Sequence, residues 1–259
     1  MAQSLTFFHL DLWQYLLVAG LGVIASIINM LAGGGSNLIL PTLIVMGVPT
    51  AIANGTNRVG VFLQGLVGLR AFHKADKLPT DDMPGILVPT VLGGLLGSLL
   101  ASYAPEVFLK PALLLTMLAM AGIMLLRPNV VTPAPGTMPH KVRDSKQGFF
   151  WLFMAGVYGG FVQAGVGFVL IMAFAGVLRY DLVRANALKL ACTIIFTAVA
   201  LAVFIVNGQI WWDVGIVLAI GNMLGAWLGV RIAISIAPAV MKRILFAMTV
   251  AAVVAALFS

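Results

Sequence analysis

The chain repeats itself at a fixed offset of 132 residues. Gly33 and Gly35 recur as Gly165 and Gly167, Asn54 as Asn186, and Gly93 and Gly97 as Gly225 and Gly229. Asp81 recurs as Asp213 and Lys110 as Lys242, and no gap is needed to hold the register. Self-similarity at one spacing marks an internal duplication. The duplicated material is 61% hydrophobic and 9% charged, with a mean hydropathy of +1.09. A soluble domain carries about 25% charged residues. This chain lacks the polar surface that water requires, so lipid must solvate most of it. Its apolar runs are continuous rather than alternating, which sets a β-barrel aside. The expected fold is an all-α polytopic membrane protein built from two structural repeats, the plan of many secondary transporters.

Apolar stretches fall near 13–47, 49–72, 84–103, 107–126, 148–178, 181–206, 211–231 and 239–258. Most match the ~20 residues that span a bilayer. Two are too long for one straight crossing, 13–47 and 148–178, and each is broken by small residues. The breaks read Gly33-Gly34-Gly35-Ser36-Asn37 and Gln163-Ala164-Gly165-Val166-Gly167. Glycine disfavours helix and permits sharp turns. Each long stretch is then either a broken crossing or a hairpin that enters and leaves on one side.

Charge separates these alternatives. Of fifteen Lys and Arg residues, Arg58 and Lys189 lie inside apolar stretches. If both long stretches cross once, the other thirteen split seven to six between the two sides. If 148–178 is a hairpin, they split twelve to one, with Lys110 the exception. The positive-inside rule favours the hairpin. By the duplication, 13–47 follows. Each repeat is then one re-entrant or broken hairpin plus three crossings, and three is odd, so the second copy is inverted. The expected organisation is a first membrane repeat over 1–127, a cytoplasmic linker over 128–147 and a second repeat over 148–259. Both termini are expected outside. Residues 1–11 hold no Lys or Arg and lack the basic start of a cleaved signal peptide. The net charge of +7 reads as orientation in the membrane and not as nucleic-acid binding.

The second arm of each hairpin has about 12 residues and rises ~18 Å. Its Gly-rich tip is therefore expected near the middle of a ~30 Å hydrocarbon core. Unwound backbone at that depth must be buried or line a wet cavity, and helix N-termini there suit an anion. The glycines at four-residue spacing, Gly93, Gly97, Gly221, Gly225 and Gly229, instead read as close helix packing. Arg58 and Lys189 are ~14 and ~12 Å into their helices. Each costs ~3 kcal/mol to bury. The eight acids all sit in loops or near helix ends, so an anionic substrate is expected to neutralise the two cations. The alternative for either cation is snorkelling or bonding to backbone carbonyls. His9, His73 and His140 lie near the N-terminus or in loops and are expected in water. No nucleophile–base pair, metal-ligand cluster or P-loop appears, so neither an enzyme nor a cofactor is expected. Cys192 is the only cysteine.

Gly33-Gly34-Gly35-Ser36, Pro41, Gly47-Val48-Pro49 and Ala53-Asn54-Gly55-Thr56-Asn57 resemble the first signature of the TauE/SafE sulfite exporter family. Gly159-Gly160-Phe161, Gly165-Val166-Gly167-Phe168 and Ala185-Asn186-Ala187-Leu188-Lys189 resemble its second. Gln163 stands where that signature often has a small residue. The resemblance implies a bacterial inner-membrane permease for sulfite or organosulfonate anions, and it admits an uptake permease for aromatic sulfonates in place of an exporter. The expected substrate site comprises Gly34, Gly35, Ser36, Asn54, Thr56, Asn57, Arg58, Gln163, Gly165, Gly167, Asn186 and Lys189. An anion channel of the same architecture is the alternative. The coupling ion, H+ or Na+, and a homodimer stay open.

Overall fold

The computed structural model describes residues 9–32, 35–74, 78–126, 137–232 and 250. Gly33 and Gly34, residues 128–136 of the linker and most of the last apolar stretch lie outside the described residues. The described residues are helical, without a strand. In chain order the helices are α1 (Leu12–Ala32), α2 (Ser36–Val45), α3 (Thr50–Lys74), α4 (Met83–Tyr103) and α5 (Glu106–Leu126). A 3-10 turn at Val142–Asp144 precedes α6 (Lys146–Phe161), α7 (Val166–Ile171), α8 (Leu182–Val206) and α9 (Trp212–Ile232). A π-helical stretch, Met172–Val177, continues α7. Among the described residues, Leu12–Met30, Met83–Tyr103, Arg184–Val206 and Trp212–Gly229 are long and apolar enough to cross a membrane. α3 is as long as α8, but Asn54, Thr56, Asn57, Arg58 and Gln64 lower its hydropathy, and all five are buried.

Both long stretches divide at their Gly-rich breaks, α1 from α2 and α6 from α7. The 132-residue offset carries the bounds of α3 onto those of α8. Packing follows the same offset, but reciprocally. α1 packs chiefly on α9 and α6 on α4; α3 packs on α9 and α8 on α4; α3 and α8 pack on each other. Single contacts repeat too. Gly60 of α3 lies against the Asn222 amide of α9, and its counterpart Cys192 on α8 meets Thr90 of α4 at 3.7 Å.

The reciprocal interfaces depend on glycine. A Cβ on Gly93 or Gly97 would overlap the Phe153 or Val157 carbonyl of α6. On Gly221 or Gly225 it would overlap the Ala19 or Val23 carbonyl of α1. Small residues let backbones approach this closely, and dispersion between helices then replaces contact with lipid.

Contacts at the helix ends fall into two groups. Thr50 N, at the start of α3, donates to Glu106 Oε1 at 2.9 Å. Gln209, before α9, exchanges hydrogen bonds with Ser102 at the end of α4, at 2.6 and 2.9 Å. The Tyr15 hydroxyl, at the start of α1, meets Asp213. His9 was expected in water and remains exposed, yet it pairs with Asp213 at 2.9 Å and stacks on Trp211 at 4.3 Å. At the opposite end of α4, Asp82 accepts from Val142 N. There His140 N donates to Leu178 O at 2.9 Å, joining the chain before α6 to the end of the π-helical stretch.

Candidate functional site

The two breaks meet beside α3 and α8. Ser36 and Asn37 open α2 and are buried. Gly35, just before them, approaches α1 so closely that a Cβ would overlap the Ala25 carbonyl. The second break is a tight left-handed turn. Gln163 has φ +66° and Gly165 has φ +76°. The Tyr158 hydroxyl donates to Ala164 O at 2.5 Å and holds the turn against α6. The left-handed region costs a non-glycine residue ~1–2 kcal/mol, so Gln163 is held there by its surroundings, a pattern found at functional sites.

A cavity of about 20 Å³ lies between the breaks. Its lining includes Ser36 from α2, Gln64 from α3, Gln163, Gly165 and Gly167 from the second break, and Lys189 from α8. That volume suffices for about one water molecule, so any larger ligand requires the surrounding helices to separate.

The two buried cations differ in their surroundings. Arg58 is wholly buried. Its Nη1 donates to Gly159 O at 3.0 Å, and its Nη2 donates to Gly160 O and to Asn54 Oδ1, the latter at 3.3 Å. Its guanidinium lies 5.1 Å from the centre of the Phe204 ring. The two carbonyls belong to the last turn of α6, which leaves such groups without partners inside the helix and carries the negative end of its dipole. Arg58 therefore follows the carbonyl-bonding alternative. Lys189 is 5% exposed and forms no hydrogen bond or ion pair with a described residue through its ammonium.

Polar side chains complete the site. Asn57 Nδ2 donates to Ser36 Oγ at 3.1 Å, and Gln163 Nε2 donates to Thr197 Oγ1 at 3.0 Å. Asn57 Oδ1 and Gln163 Oε1 are buried without partners, as are both polar atoms of Asn37. A hydroxyl both donates and accepts. Rotating either amide by half a turn keeps its bond to Ser36 or Thr197 and turns N–H donors toward the unpartnered side. Gln163 lines the cavity with Lys189, and its turned amide gives that cavity a donor suited to an oxyanion, whereas Asn57 is not among the lining residues and stands behind Ser36.

The remaining expected residues scatter. Asn54 Nδ2 donates to Phe161 O at 2.7 Å and braces the end of α6. Thr56 Oγ1 accepts from Trp211 N at 3.0 Å, away from the cavity. Asn186 is half-buried and is not among the cavity-lining residues. Gly34 lies outside the described residues. Asn29, Gln64 and Thr193 also line the cavity and escaped the sequence reading. The available signal was helical spacing: Gln64 follows Asn57 by seven residues and Thr193 follows Lys189 by four, each pair sharing a face.

Replacing Gln163 by glycine separates backbone from side chain. Relief of the left-handed strain offsets the ~0.5–1 kcal/mol entropic cost of glycine. Gln163→Gly is expected to unfold in detergent within a few degrees of wild type while binding any oxyanion that wild type binds several-fold more weakly. Thermal unfolding and titration calorimetry on the same samples check both halves.

The profile of the sulfite exporter TauE/SafE family matches residues 18–256. A Haemophilus influenzae protein named as a probable membrane transporter is 31% identical over 207 residues, 79% of each chain. A Sinorhizobium protein, probable membrane transporter ORF9, is 28% identical over 85% of this chain and 81% of its own. The Escherichia coli K12 protein YfcA, also named a probable membrane transporter, is 24% identical over 79% of this chain and 75% of its own. A multi-pass helical chain with a polar site between two helix breaks fits that company, and the chain belongs to the TauE/SafE sulfite exporter family of membrane transporters.

Proposed function

We propose that the protein is a secondary transporter for a sulfite- or organosulfonate-type anion, held between the two Gly-rich breaks and passed across the membrane by alternating access. The observation that carries this reading is Lys189, a buried amine on a cavity with no acid in its lining among the described residues. An anionic ligand satisfies it, and the turned amide of Gln163 supplies a further hydrogen bond. Arg58 supports the site from behind by fixing the end of α6. The narrowness of the cavity favours a carrier, whose site is closed for part of its cycle, over a channel.

In this reading residues 1–127 and 148–259 are inverted repeats, each a re-entrant hairpin and three crossings, joined by a cytoplasmic linker at 128–147. The reciprocal packing of α1 on α9 and α6 on α4 supports it. So do the helix-end contacts, which join the start of α1 to the start of α9, the end of α4 to the chain before α9, and the chain before α6 to the end of the π-helical stretch. Cysteine labelling in intact bacteria checks the orientation. Asn207→Cys, between α8 and α9, is expected to react with an impermeant maleimide from outside, and Thr137→Cys only after the inner membrane is opened. Equal labelling of both from outside would exclude the arrangement.

Transport itself is tested with the purified chain in liposomes, offered sulfite, sulfoacetate, taurine, isethionate and aromatic sulfonates. Counterflow of one of these, without unitary current in a planar bilayer, is the expected outcome. Unitary anion current without counterflow would make the protein a channel, and neither activity would remove the transport reading.

A further inference from the structure

Lys189 is the sole titratable side chain in the cavity lining among the described residues. α1 contributes Asn29, α2 Ser36, α3 Gln64, the second break Gln163 and α8 itself Thr193, all neutral. The other buried cation, Arg58, has its Nη donors on Asn54 and the carbonyls of Gly159 and Gly160. The described acids stand at helix ends: Asp11, Asp81, Asp82, Glu106, Asp144, Asp181 and Asp213. An isolated ammonium in a dry site without a countercharge is disfavoured, whereas an ammonium paired with an anion is electrically neutral. Binding of the anion and protonation of the amine therefore favour each other, and that linkage is reciprocal.

We infer that Lys189 carries the coupling ion of this transporter, and that the ion is a proton. The inference rests on the transporter reading above. The neutral Nζ amine takes up one proton as one singly charged sulfonate binds, giving an ammonium–sulfonate pair. Both leave on the opposite side, and the empty carrier returns with a neutral amine. One positive and one negative charge cross together, so the cycle moves no net charge. A sulfonate stays ionised across the physiological range, so the proton does not travel on the substrate. Arginine at the same position holds an anion but does not release its proton.

The test uses the full chain in liposomes containing a trapped pH dye, with methanesulfonate, isethionate and benzenesulfonate as singly charged probes. For a probe that the wild type exchanges, uptake is expected to acidify the lumen by one proton per sulfonate. An inside-alkaline gradient is expected to concentrate the probe about tenfold per pH unit, while a potassium-diffusion potential alone is expected to concentrate none. Lys189→Arg is expected to slow counterflow and, for any probe that it still exchanges, to lose gradient-driven accumulation. Counterflow without proton movement in the wild type overturns proton coupling and leaves the transporter standing. Undiminished accumulation in Lys189→Arg removes the proton from Lys189. Absence of counterflow for sulfite and for every sulfonate overturns the transporter reading on which the inference rests. Should Lys189→Arg fail to fold, Lys189→Gln takes its place: proton uptake with the probe is expected to be lost, and undiminished proton-driven accumulation removes the proton from Lys189.

Discussion

Arg58→Ala is expected to destabilise the fold by about 3 kcal/mol, a loss visible as reduced yield and a lower unfolding temperature in detergent. Hydrogen bonds to a charged group contribute ~1.5–3 kcal/mol each, and Arg58 directs Nη donors to Gly159, Gly160 and Asn54. Alanine leaves the two carbonyls facing a void beside Phe204. Relief of burying a charge whose Nε has no partner offsets part of the loss. Lysine is a poor substitute, because a point ammonium does not reproduce the planar fork that spans adjacent carbonyls. Adding sulfonate is not expected to restore the variant. An Arg58→Ala protein that unfolds like wild type but no longer binds sulfonate would return Arg58 to the role of substrate ligand that the sequence suggested.

The second large effect concerns the reciprocal helix pairs. Gly97→Leu is expected to abolish folded protein in detergent, because its Cβ would overlap the Val157 carbonyl and lie 2.8 Å from Phe161 N. Backbone cannot yield to that overlap without separating α4 from α6, and overpacking costs 1–3 kcal/mol even where only side chains must move. The same substitution at Gly225 is expected to act alike, through the Val23 carbonyl and the α1–α9 pair. Gly20 is the control. A Cβ there meets nothing within 4 Å, so Gly20→Leu is expected to be tolerated. Size-exclusion profiles of the three variants report the difference. Tolerance of leucine at both Gly97 and Gly225 would show that these pairs do not hold the molecule together.

Much of the architecture was legible because it depends on local chemistry. The breaks at Gly33–Gly35 and Gln163–Gly167 show as glycine in runs too long to cross once. The bounds of α3 and α8 follow the duplication. The fate of Arg58 was not legible, since its acceptors are backbone carbonyls about a hundred residues away, and a carbonyl has no residue identity to read. The inequality of Asn54 and Asn186 was equally hidden. Asn54 braces Phe161 because α6 ends beside α3, and sequence alone does not tell which helix end comes to lie there. The π-helical stretch after Ile171 likewise has no local marker. The shift of the cation from Arg58 in one copy to Lys189 in the other was visible, and the structure gives it meaning: one cation clamps a helix end, and the other faces the cavity.

The central claim is that Lys189 holds the anion. An ion pair at ~4 Å gains ~4 kcal/mol at an effective dielectric near 20. With about half of that offset by desolvation, its loss weakens binding by roughly 30-fold. Titration calorimetry of wild type and Lys189→Gln, with the sulfonate that wild type binds most tightly, measures this directly. The expected result is a loss of that size in a protein that unfolds within a few degrees of the wild-type temperature, since glutamine keeps the empty site polar and uncharged. Equal affinity in the two proteins would contradict the account.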